Sequence, residues 1–201
     1  MKMDIVRWAL SGNCLVYPTS TLPALGCIPT TKSLDDLYRI KKRSVMSPVS
    51  LGVTDLSQAS EIVEIPDDVP DILESFPEGS LTIVLKAIEK MDERLGGFQV
   101  AVRVVTHPVA KELLGKTGPL TATSANLSGE EPMLDCLSAA ENLSTPEFPI
   151  EALEGFCEGG LPSTLIAWHT VCDTPESMEI DVIREGKVSS EDVYSWWRKR
   201  I

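Results

Sequence analysis

The sequence predicts an α/β fold in which short buried strands alternate with helices. Apolar runs rich in β-branched residues have the length of strands, and between them lie segments whose apolar residues recur every three or four positions. The 201 residues, 43% of them hydrophobic, suit one globular domain, which we expect to span residues 1–201. Small hydroxyl side chains follow several of the strands, as in the binding loops of open α/β sheets.

The segment over residues 119–129 combines a buried strand with a polar loop. Residues 119–122 have the apolar character of a strand, and Gly129 supplies the backbone freedom of a turn. The loop between them carries four small polar side chains, those of Thr123, Ser124, Asn126 and Ser128. These side chains can bind a ligand or can bond to their own backbone in an ordinary turn, and their spacing leaves both interpretations open.

The first part of the chain predicts a strand, a second polar loop and a helix with a basic end. Residues 14–17 form a short apolar strand, which is followed after Pro18 by the hydroxyls of Thr19, Ser20 and Thr21. Ser33 is the predicted N-cap of a helix over residues 34–40. A basic cluster ends this helix and consists of Arg39, Lys41, Lys42 and Arg43. The cluster either complements the helix dipole in solvent or supplies cations to a site.

The middle of the chain again alternates strands with helices. Strands are predicted at residues 48–53, 81–85 and 100–105, and helices at residues 55–62, capped by Asp55, and at residues 67–76. Arg103 interrupts the third strand. Its guanidinium either faces water from an edge strand or points into a site and binds a carboxylate or phosphate in a bidentate fork.

The remaining elements continue this pattern to the end of the chain. A helix is predicted from an N-cap at Thr106 to Gly115, and another at residues 134–142, followed by an exposed connection. Later elements are a turn at residues 159–162, the hydroxyls of Ser163 and Thr164, strands at residues 165–168 and 178–183, and a terminal helix capped by Ser189 or Ser190. The basic end of this helix, with Trp196 and Trp197, is either an RNA-binding patch or, as we favour, part of a packed amphipathic helix.

Charge is distributed unevenly along the chain. The formal net charge is −12, and residues 117–183 contain twelve of the 30 acidic residues but no Lys or Arg. The rest of the chain holds 18 acidic and 18 basic residues, so it can still form a positive pocket. The net charge argues against a protein whose main role is to bind nucleic acid, because phosphate contacts require Lys and Arg.

Cysteine usage and hydropathy exclude several classes of protein. Five widely spaced cysteines and two histidines show no zinc-ligand spacing and no disulfide framework, so we expect free thiols and no metal bound by the protein alone. No apolar run is long enough to span a membrane, and Asp4 and Arg7 occupy the place where a signal peptide would be apolar. We therefore expect a cytoplasmic protein with no membrane partner.

No phosphate-binding glycine loop, dinucleotide fingerprint or obvious catalytic triad occurs in the sequence. The remaining candidates are four basic residues from three segments, Lys41, Arg43, Arg103 and Arg184, and the hydroxyl-rich loops described above. If these groups converge, they form a pocket for an anionic, hydroxylated ligand, and nucleotide phosphates would fit it.

Seven short motifs occur in an order that resembles a known family. They are Tyr17-Pro18-Thr19-Ser20-Thr21, Leu25-Gly26, Lys41-Lys42-Arg43 with Pro48, Ala101-Val102-Arg103-Val104 with His107-Pro108, Thr123-Ser124-Ala125-Asn126-Leu127-Ser128-Gly129, Pro162-Ser163-Thr164 and Ile183-Arg184-Glu185-Gly186. The sequence is similar over nearly its whole length to the YrdC-like family of threonylcarbamoyl-adenylate synthases, in its minimal single-domain form. The resemblance implies a twisted sheet of mixed parallel and antiparallel strands, flanking helices and a concave, positively charged central cavity.

The resemblance also implies an activity and roles for individual residues. The expected enzyme is a nucleotidyltransferase that joins L-threonine, bicarbonate and ATP into threonylcarbamoyl-adenylate and pyrophosphate, with Mg²⁺ accompanying ATP, and supplies the product to the machinery that makes threonylcarbamoyladenosine in tRNA. The expected ATP-binding residues are Lys41, Arg43, Ser47, Ser124, Asn126 and Arg184, and the expected catalytic residues among them are Lys41, Arg43, Ser124 and Asn126. The expected threonine-binding residues are Thr21, Arg103 and Ser163.

Pro23 and Ala24 depart from the family pattern, which commonly has Tyr-Gly at these positions. This departure bears on recognition of threonine. Two alternatives are therefore kept: a paralogue with a different substrate, and a non-catalytic paralogue that binds tRNA or double-stranded RNA.

Overall fold

Two β-sheets, rather than one, form the centre of the computed structural model, which describes residues 3–171 and 180–200. The strands are β1 (Leu15–Tyr17), β2 (Ala24–Gly26), β3 (Leu51–Val53), β4 (Leu81–Lys86), β5 (Gln99–Val104), β6 (Leu120–Thr121), β7 (Thr123–Ser124), β8 (Glu151–Ala152), β9 (Thr164–Ala167) and β10 (Asp181–Arg184). The smaller sheet has the order β7-β2-β1-β8, and the larger sheet has the order β10-β9-β4-β5-β3-β6.

Both sheets contain parallel and antiparallel pairs. In the smaller sheet β1 is antiparallel to β2 and parallel to β8. In the larger sheet β4 is antiparallel to β5 and parallel to β9, while β3 is parallel to β5 and antiparallel to β6. The predicted mixed α/β fold is therefore confirmed.

Helices cover these sheets with their apolar faces. In the described residues they are α1 (Met3–Leu10), α2 (Thr31–Lys41), α3 (Leu56–Ala59), α4 (Val69–Ser75), α5 (Pro108–Thr117), α6 (Cys136–Leu143) and α7 (Ser190–Arg198). Helix α2 shows why they pack, because Leu34, Leu37 and Ile40 recur on one side and are buried, at 0 to 7% exposure. No helix of the described residues is long and apolar enough to cross a lipid bilayer.

The strand predicted at residues 119–122 is observed as β6, and the first two residues of the predicted polar loop form a further strand, β7, in the other sheet. Strand β6 pairs with β3 in the larger sheet, and β7 pairs with β2 in the smaller one. The buried hydroxyl of Tyr17, on β1, donates to the carbonyl of Thr121 at 2.9 Å and so connects the sheets. The chain thus passes from one sheet to the other at Ala122, between β6 and β7.

Three predicted helix boundaries are wrong. Helix α2 begins three residues earlier than predicted. Its N-cap is Thr30, whose Oγ1 accepts a hydrogen bond from the backbone N of Ser33. The N-cap of α5 is His107 rather than Thr106, since Pro108 occupies the first helical turn. Helix α5 also continues past Gly115 to Thr117, and Gly118, with φ +80°, ends it.

Some elements were missed, and others match. Helix α1 and strands β2, β7 and β8 were not predicted; the three strands have only two or three residues, too few to show a periodicity. The predicted caps Asp55 and Ser189 are confirmed. The predicted strand at residues 178–183 is observed from Asp181, and its first two residues, like Cys172, lie outside the described residues.

The terminal helix is packed, as favoured from the sequence. Trp197 is 4% exposed. Arg200 lies 4.2 Å from the ring centre of Trp196 and forms an ion pair with Asp71 at 2.6 Å. Packing and pairing thus involve both Trp side chains and Arg200, whereas Arg198 and Lys199 are exposed.

Candidate functional site

A cavity of about 370 Å³ lies between the two sheets. The loops around β2 and β7 line one side, and strands β4, β5 and β9 line the other. The polar or charged lining side chains are Thr21, Arg43, Ser50, Thr82, Arg103, Thr123, Ser124, Asn126, Glu130, Ser163 and Arg184. Apolar lining residues include Leu22, Pro23, Ala24, Ala101, Pro132, Pro162 and Leu165.

Strand periodicity decides which side chains of the larger sheet face the cavity. On β5, Ala101 and Arg103 line the cavity, whereas Val100 and Val102 belong to the hydrophobic core. Successive side chains of a strand point to opposite faces, so an arginine at position 103 shares the face of Ala101. Strand β5 lies between β4 and β3, and Arg103 is 7% exposed. The interpretation of Arg103 as a water-facing edge residue is therefore wrong.

Hydroxyl and carbonyl groups fix the guanidinium of Arg103. Its Nη2 donates to Thr21 Oγ1 at 3.0 Å, to Ser20 Oγ at 3.2 Å and to the carbonyl of Gly79 at 2.9 Å, and its Nε donates to the same carbonyl at 3.2 Å. Within the described residues, Nη1 has no hydrogen-bond partner. Burial lowers the pKa of Arg103 to about 10, so the group stays cationic at neutral pH. Arg103 thus combines a fixed geometry with an unused donor.

Ser163 lies beside Arg103 and connects β4 with Arg184. Its Oγ is 2.7 Å from Thr82 Oγ1, and its carbonyl accepts from Arg184 Nη2 at 2.7 Å. Both hydroxyl side chains are buried, with exposures of 3%. Arg184 is exposed at the cavity mouth. The neighbouring hydroxyl of Thr164 instead donates to the carbonyl of Val188 at 2.6 Å and supports the loop after β10.

A left-handed residue directs Arg43 towards the cavity. Lys42 caps α2 with φ 49°, a conformation that costs a non-glycine residue about 1–2 kcal/mol. The chain then turns, and Arg43 donates from Nε to the carbonyl of Ser47 at 2.7 Å and from Nη2 to the carbonyl of Pro48 at 3.0 Å. Ser47 therefore acts through its backbone, and its side chain is not among those that line the cavity.

Strand β7 and the loop after it bring Ser124 and Asn126 to the cavity wall. The register of β7 places Ser124 opposite Ala24, and the backbone N of Ala125 donates to the carbonyl of Pro23 at 2.8 Å. Asn126 Nδ2 donates to the carbonyls of Leu127 at 2.8 Å and Glu130 at 2.6 Å. Its Oδ1 is buried with no hydrogen-bond partner among the described residues.

Lys41 holds this loop from outside the cavity. Its ammonium donates to the carbonyl of Ser124 and, at 2.6 Å, to the carbonyl of Asn126, and its own carbonyl accepts from the backbone N of Ser128 at 3.0 Å. The residue is 1% exposed and is not among those that line the cavity. Burial, and to a smaller extent the charge of Arg43, lower the pKa of Lys41 to about 8.

The cavity lining is cationic. Arg43, Arg103 and Arg184 come from three separate segments, and Glu130 is the acidic side chain that faces them. Arginine binds carboxylate and phosphate oxygens with two parallel hydrogen bonds, so this lining suits an anion with several oxygens. Within the described residues, no group of three or more His, Cys, Asp or Glu side chains is arranged to hold a metal ion.

The cavity brings together seven of the nine predicted site residues: Thr21, Arg43, Arg103, Ser124, Asn126, Ser163 and Arg184. Lys41 and the side chain of Ser47 lie outside its lining. Sequence reasoning missed Thr82, Ser50 and Glu130. Thr82 is a polar residue inside the apolar run of β4, the same signal that singled out Arg103 on β5, whereas Ser50 and Glu130 carried no local signal.

Comparisons with known proteins identify the family and the fold. Residues 8–186 match the sequence model of a family described as Sua5/YciO/YrdC, telomere recombination. A threonylcarbamoyl-AMP synthase of Pseudoalteromonas translucida is 35% identical over 136 residues, which cover 64% of this chain and 72% of that protein.

Two solved structures have the same fold. P. abyssi Sua5, solved in complex with L-threonine, matches with a TM-score of 0.81 and 23% identity, over 96% of this chain and 56% of the Sua5 chain. The chain therefore spans little more than half the length of Sua5. E. coli YciO matches with a TM-score of 0.76 and 25% identity, over 94% of this chain and 90% of that one.

Proposed function

The chain belongs to the Sua5/YciO/YrdC family, and we propose that it is an L-threonylcarbamoyladenylate synthase. One observation carries the proposal: Arg43, Arg103 and Arg184, together with small hydroxyl and amide side chains, line a single cavity between the sheets. This donor set suits a substrate pair that carries a carboxylate, a hydroxyl group and a triphosphate.

The proposed reaction is a nucleotidyl transfer. Bicarbonate and the amine of L-threonine form an N-carboxylate with loss of water. An oxygen of that carboxylate attacks the α-phosphorus of ATP, and the bond to pyrophosphate breaks. This step transfers AMP to the carboxylate and requires no protein nucleophile, so catalysis rests on alignment and on neutralisation of negative charge.

The buried end of the cavity is the proposed threonine subsite. Arg103 holds Thr21 through Nη2 and keeps Nη1 available, so its guanidinium can bind the carboxylate of threonine. Ser163 and its partner Thr82 lie beside it and offer hydroxyl groups to the substrate. When the cavity holds the threonine N-carboxylate and ATP in place before the reaction, the entropy cost of bringing these two reactants together is lower.

The wider part of the cavity is the proposed nucleotide subsite. Arg43 and Arg184 supply charges for the phosphates, and Ser124 and Asn126 supply small polar contacts on the opposite wall. Direct contact between Lys41 and ATP stays a prediction; its ammonium contacts the loop carbonyls, which favours support of Ser124 and Asn126. Mg²⁺ would enter as the complex of ATP, since the lining offers Arg side chains and one carboxylate rather than a set of metal ligands.

The product would be consumed by the machinery that makes threonylcarbamoyladenosine in tRNA. Pro23 and Ala24 line the cavity, so they lie where a different amino acid could be selected. A paralogue with another substrate is therefore the second candidate. An RNA-binding role has less support, because the formal net charge is −12 and phosphate contacts require Lys and Arg.

The purified chain with ATP, MgCl₂, bicarbonate and L-threonine provides the test. We expect pyrophosphate release that requires threonine and bicarbonate, and an adenylate of the expected mass by mass spectrometry. Turnover with L-serine or L-valine in preference to L-threonine would support the second candidate. Salt-dependent binding of tRNA without any ATP turnover would support the RNA-binding alternative and contradict the proposal.

A further inference from the structure

An exposed aromatic side chain lies near the cavity but is not among the residues that line it. Phe156 is 69% exposed and follows β8 in an extended segment. Burial alternates along this segment: Leu153 and Cys157 are buried, whereas Glu154, Phe156 and Glu158 are exposed. Side chains two positions apart in an extended chain share a face, so two carboxylates flank the Phe156 ring.

The segment that precedes helix α6 pairs with this one and completes the surface. Asp135 and Phe156 form an antiparallel bridge, framed by hydrogen bonds from the backbone N of Cys136 to the carbonyl of Gly155 and from the backbone N of Cys157 to the carbonyl of Leu134. Asp135 and Phe156 are therefore a non-hydrogen-bonded antiparallel pair, the kind in which opposite side chains lie closest together.

Met133, 42% exposed, lies two residues before Asp135 in the chain. We call this surface the Phe156 face; it consists of Met133, Asp135, Glu154, Phe156 and Glu158.

The composition of the Phe156 face is that of a protein interface with a strong charge preference. Phe156 and Met133 supply exposed apolar side chains, and Glu154 and Glu158 supply exposed carboxylates; the third carboxylate, that of Asp135, is half-buried and caps α6 by accepting from the backbone N of Ser138 at 2.8 Å. Lys187 approaches Glu158 at 3.6 Å and offsets one of these charges. The segment that builds the face belongs to residues 117–183, which contain no Lys or Arg. The face therefore combines exposed apolar side chains with exposed carboxylates.

The face is joined to the cavity wall through short contacts. A Cβ on Gly155 would lie 2.8 Å from Pro18, so the two segments are in close contact. The backbone N of Thr19 donates to Cys157 Sγ at 3.4 Å, and the backbone N of Gly159 donates to the carbonyl of Thr21 at 2.9 Å. On the other strand, Met133 directly follows Pro132, which lines the cavity.

We propose that the Phe156 face is the docking surface for a basic protein whose contact surface has an apolar pocket surrounded by Lys and Arg. Charge selects this partner: phosphates of a nucleic acid would be repelled, and a second copy would place like charges opposite each other across a two-fold axis. This step rests on the proposed function: a partner docked here lies beside the cavity from which the adenylate leaves.

The first step of the test finds the partner. The full chain, with p-benzoylphenylalanine replacing Phe156, is photo-cross-linked in cells of the organism that produces it, and Phe98, 55% exposed, is replaced in the same way as the matched control. A protein captured at position 156 and not at position 98 is identified and purified. Failure to capture any protein specifically at position 156, or capture of nucleic acid or of this chain itself, would overturn the proposal.

The second step measures whether the captured protein uses this face. We expect Phe156→Ser to raise its Kd at least tenfold, Glu154→Lys with Glu158→Lys to do the same, and added salt to weaken binding to the unaltered chain. Phe98→Ser should leave the Kd unchanged. Equal binding by all variants refutes the proposal. Pyrophosphate release from free substrates should be the same in all variants, so failure of docking and failure of the synthase activity are measured separately.

Discussion

Two buried cations, 62 residues apart in sequence, serve the same cavity in different ways. The Arg103 guanidinium lines the cavity floor, and four hydrogen bonds to the 19–21 loop and to Gly79 use Nε and Nη2 only. The Lys41 ammonium lies behind the cavity wall and donates to two carbonyls of the loop after β7. The difference teaches that burial and charge alone do not identify a ligand contact. The better indicator of a ligand contact is a hydrogen-bond donor that lines the cavity and has no partner in the protein.

The largest effect is expected at Arg103. We predict that Arg103→Met lowers kcat/KM for threonine by about 10²–10³-fold, the usual cost of removing a fixed charged donor from a site. Arg103→Lys keeps the charge but loses the planar fork, so it should recover only part of the activity. Steady-state kinetics with varied threonine measures both, and Arg39→Met, at an exposed ion pair with Glu147, is the control.

The assignment of Arg103 as a ligand contact is contradicted if Arg103→Met leaves kcat/KM near that of the control. It is also contradicted if the variant fails to fold, and the circular dichroism spectrum and melting temperature report this. In either case Arg103 would be part of the scaffold rather than a ligand contact.

Lys41 is expected to affect stability as well as activity. We predict that Lys41→Met lowers the free energy of unfolding by about 2–4 kcal/mol, because buried carbonyls of Ser124 and Asn126 lose their donor. Since the loop loosens, KM for ATP should rise more than kcat falls. Lys42→Met, at the adjacent exposed position, is the matched control and should behave as the unaltered chain.

Denaturant unfolding and ATP kinetics together decide the role of Lys41. A large rise in KM for ATP with unchanged stability would identify Lys41 as a direct ligand of ATP, as the family resemblance implies. Loss of stability with ATP binding intact would make it only a structural residue.

The smallest effect is expected from pH. Because the pKa of Lys41 is lowered to about 8, its proton leaves as pH rises from 7 to 9, and one positive charge near the nucleotide subsite is lost. ATP affinity should therefore fall with rising pH, by about 2- to 10-fold for a charge on the order of 10 Å away. Isothermal titration of ATP at several pH values measures this. A Lys41→Met chain should show no such dependence, and an equal slope in both chains would assign the titration to another group.

Local sequence signals predicted much of the site because they report side-chain chemistry at strand ends. Arg103 and the residues of the 123–128 loop were recognised as polar groups interrupting or following apolar runs, and seven of the predicted residues line one cavity. Thr82 carried the same kind of signal and was missed. The residue types of Arg43 and Ser47 were equally suggestive, yet only Arg43 presents its side chain to the cavity.

The sequence by itself determined the α/β class, the positions of the longer strands and helices, and the chemical character of the site, because periodicity and residue type are local properties. Only the tertiary structure decided that β6 and β7, two residues apart, belong to different sheets, that α2 places Lys41 behind the loop, and that Phe156 lies beside Asp135. These features depend on contacts between residues from 21 to 100 positions apart, and hydrogen-bond partners at such separations leave no local pattern.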